Sequence, residues 1–432
     1  MICENLSVNP NGSLLFAGQS VSELAKEYGT PLYLMDEDRI RERCRTYLNA
    51  VKEAFGDGAS VLYASKAASF RRLYAVMKEE GMGIDVVSSG EIYTALSAGF
   101  PLSRAYFHSN NKTDADIRYA IDNGIGYFVV DNAEELLVID EAAKEKGIRQ
   151  SVLLRLTPGI DPHTYEAIST GKVDSKFGSA IETGQAEEMT RLALSLPHIH
   201  LSGFHCHVGS QVFDSSVYLA AADVMLRFIA AMRSSLGYEA EQLDLGGGYG
   251  VRYVEDQPTI DIRANILEVA AFIKNKCDEL GIKMPHISFE PGRSIVADAG
   301  LTVYTVGTVK RITGYKNYVS VDGGMTDNPR YALYGAPYTI LPTEGVNGEK
   351  TLLCSLVGRC CESGDILQEN ILLPNGIKRG DLVACLTTGA YHYSMASNYN
   401  KLPRPPIVML KGGGSYLAVR RETPADLAAL DL

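Results

Sequence analysis

A regular alternation of short apolar runs with helical patterns is the feature of this sequence that most limits its fold. Over roughly 230 residues, eight strand-like runs are separated by stretches with apolar residues at three- and four-residue spacing. Strands that alternate with helices predict a parallel sheet. The runs are Val61–Ser65, Ile84–Val87, Ala105–His108, Tyr127–Val130, Val152–Leu156, Leu201–His207, Leu243–Leu245 and His286–Phe289.

The count and the size of this region are typical of a (β/α)8 barrel of the TIM type. An open doubly wound sheet is the alternative. Two observations favour the barrel: the count is eight, and polar clusters recur at the carboxyl ends of the runs, where barrel active sites are built. We therefore predict an α/β barrel domain over residues 36–290.

The alternation stops at about residue 295. Short β-like runs with Gly and Pro between them follow, without long helices, and they predict a separate all-β domain, a β-sandwich or β-barrel. We expect it to comprise residues 291–432 together with the N-terminal strands of residues 1–35, which need a partner sheet. The runs are Thr302–Val306, Tyr318–Val321, Leu352–Val357, Leu382–Cys385, Ile407–Leu410 and Tyr416–Val419.

The composition indicates a soluble globular protein. The formal net charge of -11 argues against nucleic acid or an anionic membrane as a partner. We find no apolar run of 18 residues and expect no membrane span. The eight cysteines are scattered without a CxxC pair, and the first residues lack the pattern of a signal peptide. These features predict reduced thiols in a cytoplasmic protein.

Three predicted strand ends carry groups of chemical interest. Lys66 follows the first run, where a lysine on its own is usually just solvated. The seventh run leads into Gly246-Gly247-Gly248-Tyr249-Gly250, and the eighth into Glu290-Pro291-Gly292-Arg293. Glycines let backbone amides surround an anion, arginine adds a guanidinium, and barrel phosphate sites frequently use these two loops.

The sixth run ends in His205-Cys206-His207, followed by Ser210. Strand alternation predicts that His205 and His207 share one face. Metal ligation, an ordinary core histidine and a flat ring beside a flat cofactor are all open interpretations; no third metal ligand is evident, and we predict no metal. A lysine, a phosphate loop and a stackable ring suggest pyridoxal 5′-phosphate, with Glu290 on the ring nitrogen.

Three clusters in the predicted β-domain carry polar groups. Cys361 precedes Glu362, and the thiol is either a proton donor or a buried cysteine; the residues alone favour the buried cysteine. Arg330, Tyr334 and Tyr391 offer cationic and phenolic groups for polar recognition.

Taken together, these motifs resemble the diaminopimelate decarboxylases, in the pyridoxal-phosphate family that pairs an alanine-racemase-like barrel with a β-domain. Ser109 and Thr164-Tyr165 depart from the usual family pattern. The resemblance extends over nearly the whole chain. The motifs are Tyr63-Ala-Ser-Lys66-Ala, Asp85-Val-Val-Ser-Ser-Gly-Glu91, Ser175-Lys-Phe-Gly178, His205-Cys-His-Val-Gly-Ser-Gln211, Gly246–Gly250, Glu290–Arg293, Cys361-Glu362 and Asn398-Tyr-Asn400.

The resemblance implies that Lys66 carries the cofactor, that His207 stacks on its ring, and that Cys361 is a proton donor supplied by the partner subunit of a homodimer. The other residues implied to bind the cofactor are Ser210, Gly247, Gly248, Glu290, Gly292, Arg293 and Tyr391. Those implied to bind the substrate are Arg293, Arg330, Tyr334, Glu362 and Tyr391.

The implied reaction converts meso-2,6-diaminopimelate into L-lysine and CO2. The arginines suit the distal carboxylate of this substrate and Glu362 suits its ammonium. Related decarboxylases of the ornithine, arginine or carboxynorspermidine type are the alternative; the ornithine-type substrates lack a distal carboxylate. A non-catalytic regulatory relative is a remote second alternative.

Overall fold

The computed structural model of this chain describes residues 1–160 and 175–432. Thr164 and Tyr165 lie outside the described residues. The chain divides into two compact units, which we describe separately. One unit comprises residues 43–250 and 259–292, and the other comprises residues 1–42, 251–258 and 293–432. The predicted domain limits, at residues 36 and 290, stay a prediction.

The first unit contains a closed barrel of eight parallel strands. Each strand pairs with its neighbours in sequence order, and the first pairs with the eighth, with Val61 opposite Phe289. A short strand, Ser179–Ala180, pairs in parallel with the carboxyl end of the fifth strand. The barrel strands, first to eighth, are Ala59–Ala64, Gly83–Val86, Ala105–Phe107, Tyr127–Val130, Gln150–Thr157, Ile199–His205, Gln242–Asp244 and His286–Phe289. The predicted barrel is confirmed.

The apolar runs form strands because both faces are covered. Leu62, Tyr106, Val129 and Leu153 come from four different strands and form one buried cluster. Buried faces of the intervening helices cover the other side, as expected for a parallel sheet. Those helices are Arg71–Glu80, Ser89–Ser97, Asp114–Asp122, Ala133–Lys146, Gln185–Ser195, Ser215–Leu236 and Ile262–Leu280; Glu37–Phe55 precedes the first strand.

The helix ends follow local sequence signals. Thr113 and Asp116 form a capping box at the start of Asp114–Asp122, so that two otherwise unpaired amides are satisfied. Gly147 ends Ala133–Lys146 in the left-handed conformation, which glycine adopts without steric cost. These ends keep the connections to the strands short.

The second unit is built on a separate sheet. Strand Gly300–Arg311 is its centre and pairs with Leu32–Asp36, Asn317–Val321 and Leu382–Leu386. Strand Leu32–Asp36 confirms that the N-terminal region contributes to this sheet. The other strands of the sheet are Ile340–Pro342, Leu352–Val357, Ile366–Leu373, Ile407–Lys411 and Gly414–Val419.

All six predicted runs lie within strands of this sheet, whereas Ile340–Pro342 and Ile366–Leu373 were missed. The second of these is an edge strand with few buried residues, so its apolar alternation is weak. The three shortest N-terminal strands do not pair with this sheet, although we expected it to be their partner. They form their own small sheet, Leu6–Val8, Leu14–Phe16 and Gln19–Ser20.

Short helices complete the second unit. Helix Val21–Tyr28 starts at Ser20, whose side chain accepts from the amide of Glu23. Leu14 and Phe16 of the small sheet pack with Leu301 and Leu386 in one apolar core. The remaining helices and helical turns are Arg293–Val296, Arg330–Tyr334, Tyr393–Met395, Tyr399–Lys401 and Pro424–Ala428.

One helix, Ser215–Leu236, is long and apolar enough to cross a membrane by length and composition alone. This helix contains no uninterrupted apolar run of 18 residues, because polar residues are spread along its sequence. Half of its most apolar window is buried inside the protein. Such burial is typical of a core helix in a barrel layer.

Gly203, in the sixth barrel strand, allows a close approach to the seventh. A Cβ at this position would lie 1.9 Å from the carbonyl oxygen of Gln242. We expect Gly203→Ala to lower the free energy of unfolding by about 1–3 kcal/mol, because the backbone must shift. Urea denaturation measures it. Gly90→Ala, at an exposed helical position with only ordinary contacts, is the control; equal stability losses in both variants would contradict the packing argument.

Candidate active site

Lys66 lies at the carboxyl end of the first barrel strand, in the single helical turn Ser65–Ala67. Its Nζ is 3.8 Å from Oδ2 of Asp85, on the second strand, and its side chain is 43% exposed. Gly292 lies against the same turn, because a Cβ there would come within 2.9 Å of both the Cβ and the carbonyl oxygen of Ala64. The turn that carries Lys66 therefore lies beside the loop that follows the eighth strand.

Asp85 is a charged residue of this region that the sequence analysis quoted within a motif but gave no role. Its side chain is fully buried, and neither carboxylate oxygen has a hydrogen bond among the described residues. Burial raises the pKa of Asp85, although His108 and Lys66 act in the opposite direction. The sequence did contain a signal for a role of Asp85, because it is a charged residue within the otherwise apolar strand Gly83–Val86.

Two histidine side chains contact the carboxylate of Glu290, which follows the eighth strand. Its Oε1 lies 2.7 Å from Nε2 of His108, and its Oε2 lies 3.1 Å from Nε2 of His205. All three side chains are buried. Burial would raise the pKa of Glu290, but His108 and His205 hold it well below its usual range. Glu290 is therefore a buried carboxylate that stays anionic.

The alternation predicted for His205 and His207 needs a correction, because the sixth strand ends at His205. His205 points to Glu290, whereas the ring nitrogen Nδ1 of His207 accepts the amide of Gly247 at 3.2 Å. Burial, with Lys66 adding to it, lowers the pKa of His207 well below its usual value. His207 is thus a neutral ring whose proton is on Nε2.

The glycine loop lies against the loops after the sixth and eighth strands. A Cβ at Gly247 would lie 2.1 Å from the carbonyl oxygen of Glu290, and one at Gly248 would lie 2.4 Å from that of Gly209, the neighbour of Ser210. Gly248 has a φ of 109°, which side chains rarely adopt. The amides of Gly248 and Gly292 have no protein acceptor within residues 1–160 and 175–432.

These residues fit pyridoxal 5′-phosphate. The barrel unit provides an amine at Lys66, amides that can receive a phosphate, a neutral ring at His207 and an anionic carboxylate at Glu290. The ligand atoms of His108, His205 and Glu290 also lie within 4.8 Å of one another, a spacing that suits a metal ion. This set was not predicted from the sequence, in which His205 stands next to His207 and far from His108 and Glu290.

In the second unit, two arginines that we predicted to bind the substrate lie close to the ring of one tyrosine. The guanidinium carbons of Arg293 and Arg330 lie 4.6 and 5.3 Å from the ring centre of Tyr391. Arg330 also lies 5.2 Å from the ring of Tyr334. Both arginines are buried, and Nε of Arg330 has no hydrogen bond among the described residues. This unit therefore offers two cations to an anionic ligand.

A layer of residues that the sequence analysis did not name supports these arginines. Nη1 of Arg293 donates to the hydroxyl of Tyr253 at 2.7 Å. Tyr253 packs edge-on against Tyr338, whose hydroxyl lies 2.9 Å from Nε2 of His392. Burial lowers the pKa of His392 well below its usual value, so that no further positive charge is added beside the arginines. These residues are far apart in the sequence and belong to no motif, so no sequence pattern predicted that they form one group.

Cys361 and Glu362 lie on another loop of the second unit, and both are exposed. The amide of Cys361 donates to Oδ1 of Asn400 at 2.7 Å. The carboxylate of Glu362 accepts the amide of Gly364 at 3.1 Å. Buried Asp365 orders the loop by accepting the amide of the neighbouring Cys360 at 2.7 Å. The interpretation of Cys361 as a buried cysteine is thereby wrong.

Comparisons with known proteins agree with this arrangement. The family described as "Pyridoxal-dependent decarboxylase, pyridoxal binding domain" matches residues 37–297. A diaminopimelate decarboxylase of Bacillus subtilis is 44% identical, over 98% of this chain and 96% of that protein. One of Staphylococcus aureus is 43% identical, over 98% of both chains.

Solved structures of decarboxylases share the fold of this chain. A crystal structure of diaminopimelate decarboxylase from M. jannaschii in complex with L-lysine has a TM-score of 0.91 and 34% identity, and covers 100% of this chain and 98% of that one. A lysine/ornithine decarboxylase from Vibrio vulnificus, complexed with cadaverine, has a TM-score of 0.76 and 27% identity, with 90% and 97% covered.

The family match, the barrel and an amine beside loops able to receive a phosphate thus define a pyridoxal-dependent enzyme. By these matches the chain belongs to the family of pyridoxal-dependent decarboxylases, in the branch whose named members are diaminopimelate decarboxylases.

Burial lowers the pKa of His205 to about 4. An unfolded histidine titrates near pH 6.5, so the unfolded state takes up a proton first as the pH falls. We expect the free energy of unfolding to decrease by about 1.4 kcal/mol from this group between about pH 7.5 and 5.5. Urea denaturation at both pH values should show a smaller decrease in His205→Gln. His200→Gln, at a half-buried histidine, is the control; identical pH dependence in wild type and His205→Gln would contradict the assignment.

Proposed function

We propose that this protein is a pyridoxal-phosphate-dependent carboxy-lyase that converts meso-2,6-diaminopimelate into L-lysine and CO2, the last step of lysine biosynthesis. One observation carries the choice of substrate: Arg330 is buried beside Tyr334 and Tyr391, and its Nε has no protein acceptor in the described part of the chain. A buried guanidinium without an anion calls for a carboxylate on the ligand.

Each barrel residue has a defined task towards the cofactor. Lys66 would attach it through its amine, and the amides of Gly248 and Gly292, with Ser210, Gly247 and Arg293, would bind its phosphate. When bound, pyridoxal phosphate supplies an electron sink for the bond that breaks. Glu290 is held anionic by its two histidines, so it can accept a hydrogen bond from the protonated ring nitrogen and keep that proton in place.

His207 and Tyr391 position the reacting groups. The ring of His207 is neutral and fixed in orientation by the amide of Gly247, so it can pack flat on the cofactor without repelling the proton that Glu290 stabilises. Tyr391 has a left-handed backbone conformation and lies close to the guanidinium groups of Arg293 and Arg330, and its hydroxyl would serve the cofactor and the substrate.

The substrate carries an amino acid group at each end. One end would be held at the cofactor beside Lys66, while Arg330 and Arg293 would bind the distal carboxylate and Glu362 the distal ammonium. Tyr334 would pack beside the same group. Ornithine and arginine lack a distal carboxylate, so they would leave Arg330 buried without a partner, at a cost of several kcal/mol.

Cys361 would donate a proton to the carbon that loses CO2. Its exposure on an ordered loop supports a role across an interface, in which it completes the active site of the partner subunit in a homodimer. Protein partners other than a second copy are not needed. The net charge of -11 and the eight scattered cysteines, which form no CxxC pair, support a cytoplasmic enzyme that does not bind nucleic acid or membranes.

A substrate panel tests the proposed function. The cofactor-loaded protein should release CO2 from meso-2,6-diaminopimelate and form L-lysine, with release from ornithine and arginine at least about 100-fold slower, because a buried charge left unpaired costs several kcal/mol. Faster release from ornithine or arginine would assign a related decarboxylase. No release from any of these substrates would overturn the enzymatic proposal.

The same assay tests Arg330. Arg330→Gln should raise KM for diaminopimelate by roughly 10- to 100-fold, because a charge-assisted contact to the distal carboxylate is lost. Its cofactor absorbance should stay unchanged. Arg311→Gln, which removes an exposed arginine of the same sheet unit, is the matched control. Equal KM values in wild type and Arg330→Gln would contradict the substrate assignment.

Subunit mixing tests the shared active site. Lys66→Ala and Cys361→Ala should each have little activity alone, but an equal mixture should recover about a quarter of wild-type activity, since half of the dimers are mixed and each mixed dimer has one intact site of two. Decarboxylation is measured after subunit exchange, with each variant carried through the same treatment alone. Exchange without recovery would show that both groups act within one subunit.

A further inference from the structure

Three buried tyrosines pack beside the glycine loop of the barrel unit. Tyr249 belongs to that loop, Tyr218 lies in the first turn of helix Ser215–Leu236, and Tyr47 lies on helix Glu37–Phe55. The ring of Tyr218 stacks on that of Tyr249 with centroids 4.7 Å apart, and Tyr47 meets Tyr249 edge-on at 5.5 Å. All three are fully buried, so their packing is fixed.

The hydroxyls of Tyr218 and Tyr249 have no hydrogen-bond partner among the described residues. A buried hydroxyl without a partner costs about 1–3 kcal/mol, whereas phenylalanine would fill the same space without that cost. Packing alone therefore explains the rings but neither hydroxyl, and that of Tyr218 is the one that lies beside the backbone of Gly248. A ligand that reaches this hydroxyl would explain it.

The position of Tyr218 indicates which ligand this is. A Cβ built on Gly248 would lie 3.6 Å from the hydroxyl of Tyr218, so the hydroxyl lies beside the backbone of Gly248. The amide of Gly248 also has no protein acceptor in the described residues. Two unsatisfied donors at one point of a phosphate-binding loop call for a shared acceptor, and phosphate oxygens are strong acceptors.

We propose that the hydroxyl of Tyr218 is a further donor to the phosphate group of pyridoxal 5′-phosphate. The inference rests on the proposed cofactor but not on the substrate. Burial, with Tyr249 and Tyr47 nearby, raises the pKa of Tyr218 well above its usual value, so the hydroxyl keeps its proton beside a phosphate at any working pH. It would act with the amide of Gly248 on the same group.

Cofactor binding to apoprotein tests this contact without any measurement of activity. Tyr218→Phe should weaken the binding of pyridoxal 5′-phosphate about tenfold, as expected for one lost hydrogen bond to a charged group. Binding of pyridoxal, which lacks the phosphate, should change by less than about twofold on the same scale. Dissociation constants follow from absorbance titration, and the thermal midpoint of the apoprotein, expected to be unchanged or higher, shows that the variant folds.

Tyr249→Phe is the matched control, because it removes a hydroxyl of the same cluster with equal burial. It should leave both dissociation constants unchanged. Equal weakening in the two variants would indicate a bridging water and overturn the direct contact. Unchanged binding in Tyr218→Phe, or an equal loss for pyridoxal, would also overturn it. Failure of the wild-type protein to bind the phosphorylated cofactor would instead count against the proposed function.

Discussion

Closure of the barrel between its first and eighth strands is the constraint on which the candidate site depends. The register that pairs Val61 with Phe289 continues beyond the eighth strand, where the amide of Ala64 donates to the carbonyl oxygen of Pro291, so the turn of Lys66 lies beside the loop that contains Glu290. Gly292 then packs against Ala64 at a distance that only glycine permits. An amine and a carboxylate separated by more than 200 residues in sequence are thereby held within one site.

Burial of charge gives this site its chemical character. Asp85 and Glu290 are both buried carboxylates, but their pKa values move in opposite directions, because two histidines bind Glu290 directly while Asp85 has no hydrogen bond in the described residues. The same burial keeps His205 and His207 neutral. One barrel end therefore contains neutral rings beside one fixed negative charge, as a protonated cofactor ring requires.

Much of the fold could be predicted from sequence because its signals are local. Eight apolar runs with helical spacing between them identify the barrel, and runs without helices identify the second sheet. Ile366–Leu373 was missed because an exposed edge strand needs no apolar face. Tyr253, Tyr338 and His392 could not be found, since they become a group only through contacts between distant segments.

The sequence by itself determined the barrel and the sheet unit, because apolar periodicity is a property of short segments, and its glycine and arginine clusters predicted binding sites for a phosphate and an amino acid. Tertiary structure alone decided that His205 serves Glu290 while His207 meets the glycine loop, that Asp85 lies beside Lys66, and that the hydroxyl of Tyr218 is buried near Gly248. Those outcomes depend on strand register and on burial, which set distances and charges that no short stretch of sequence contains.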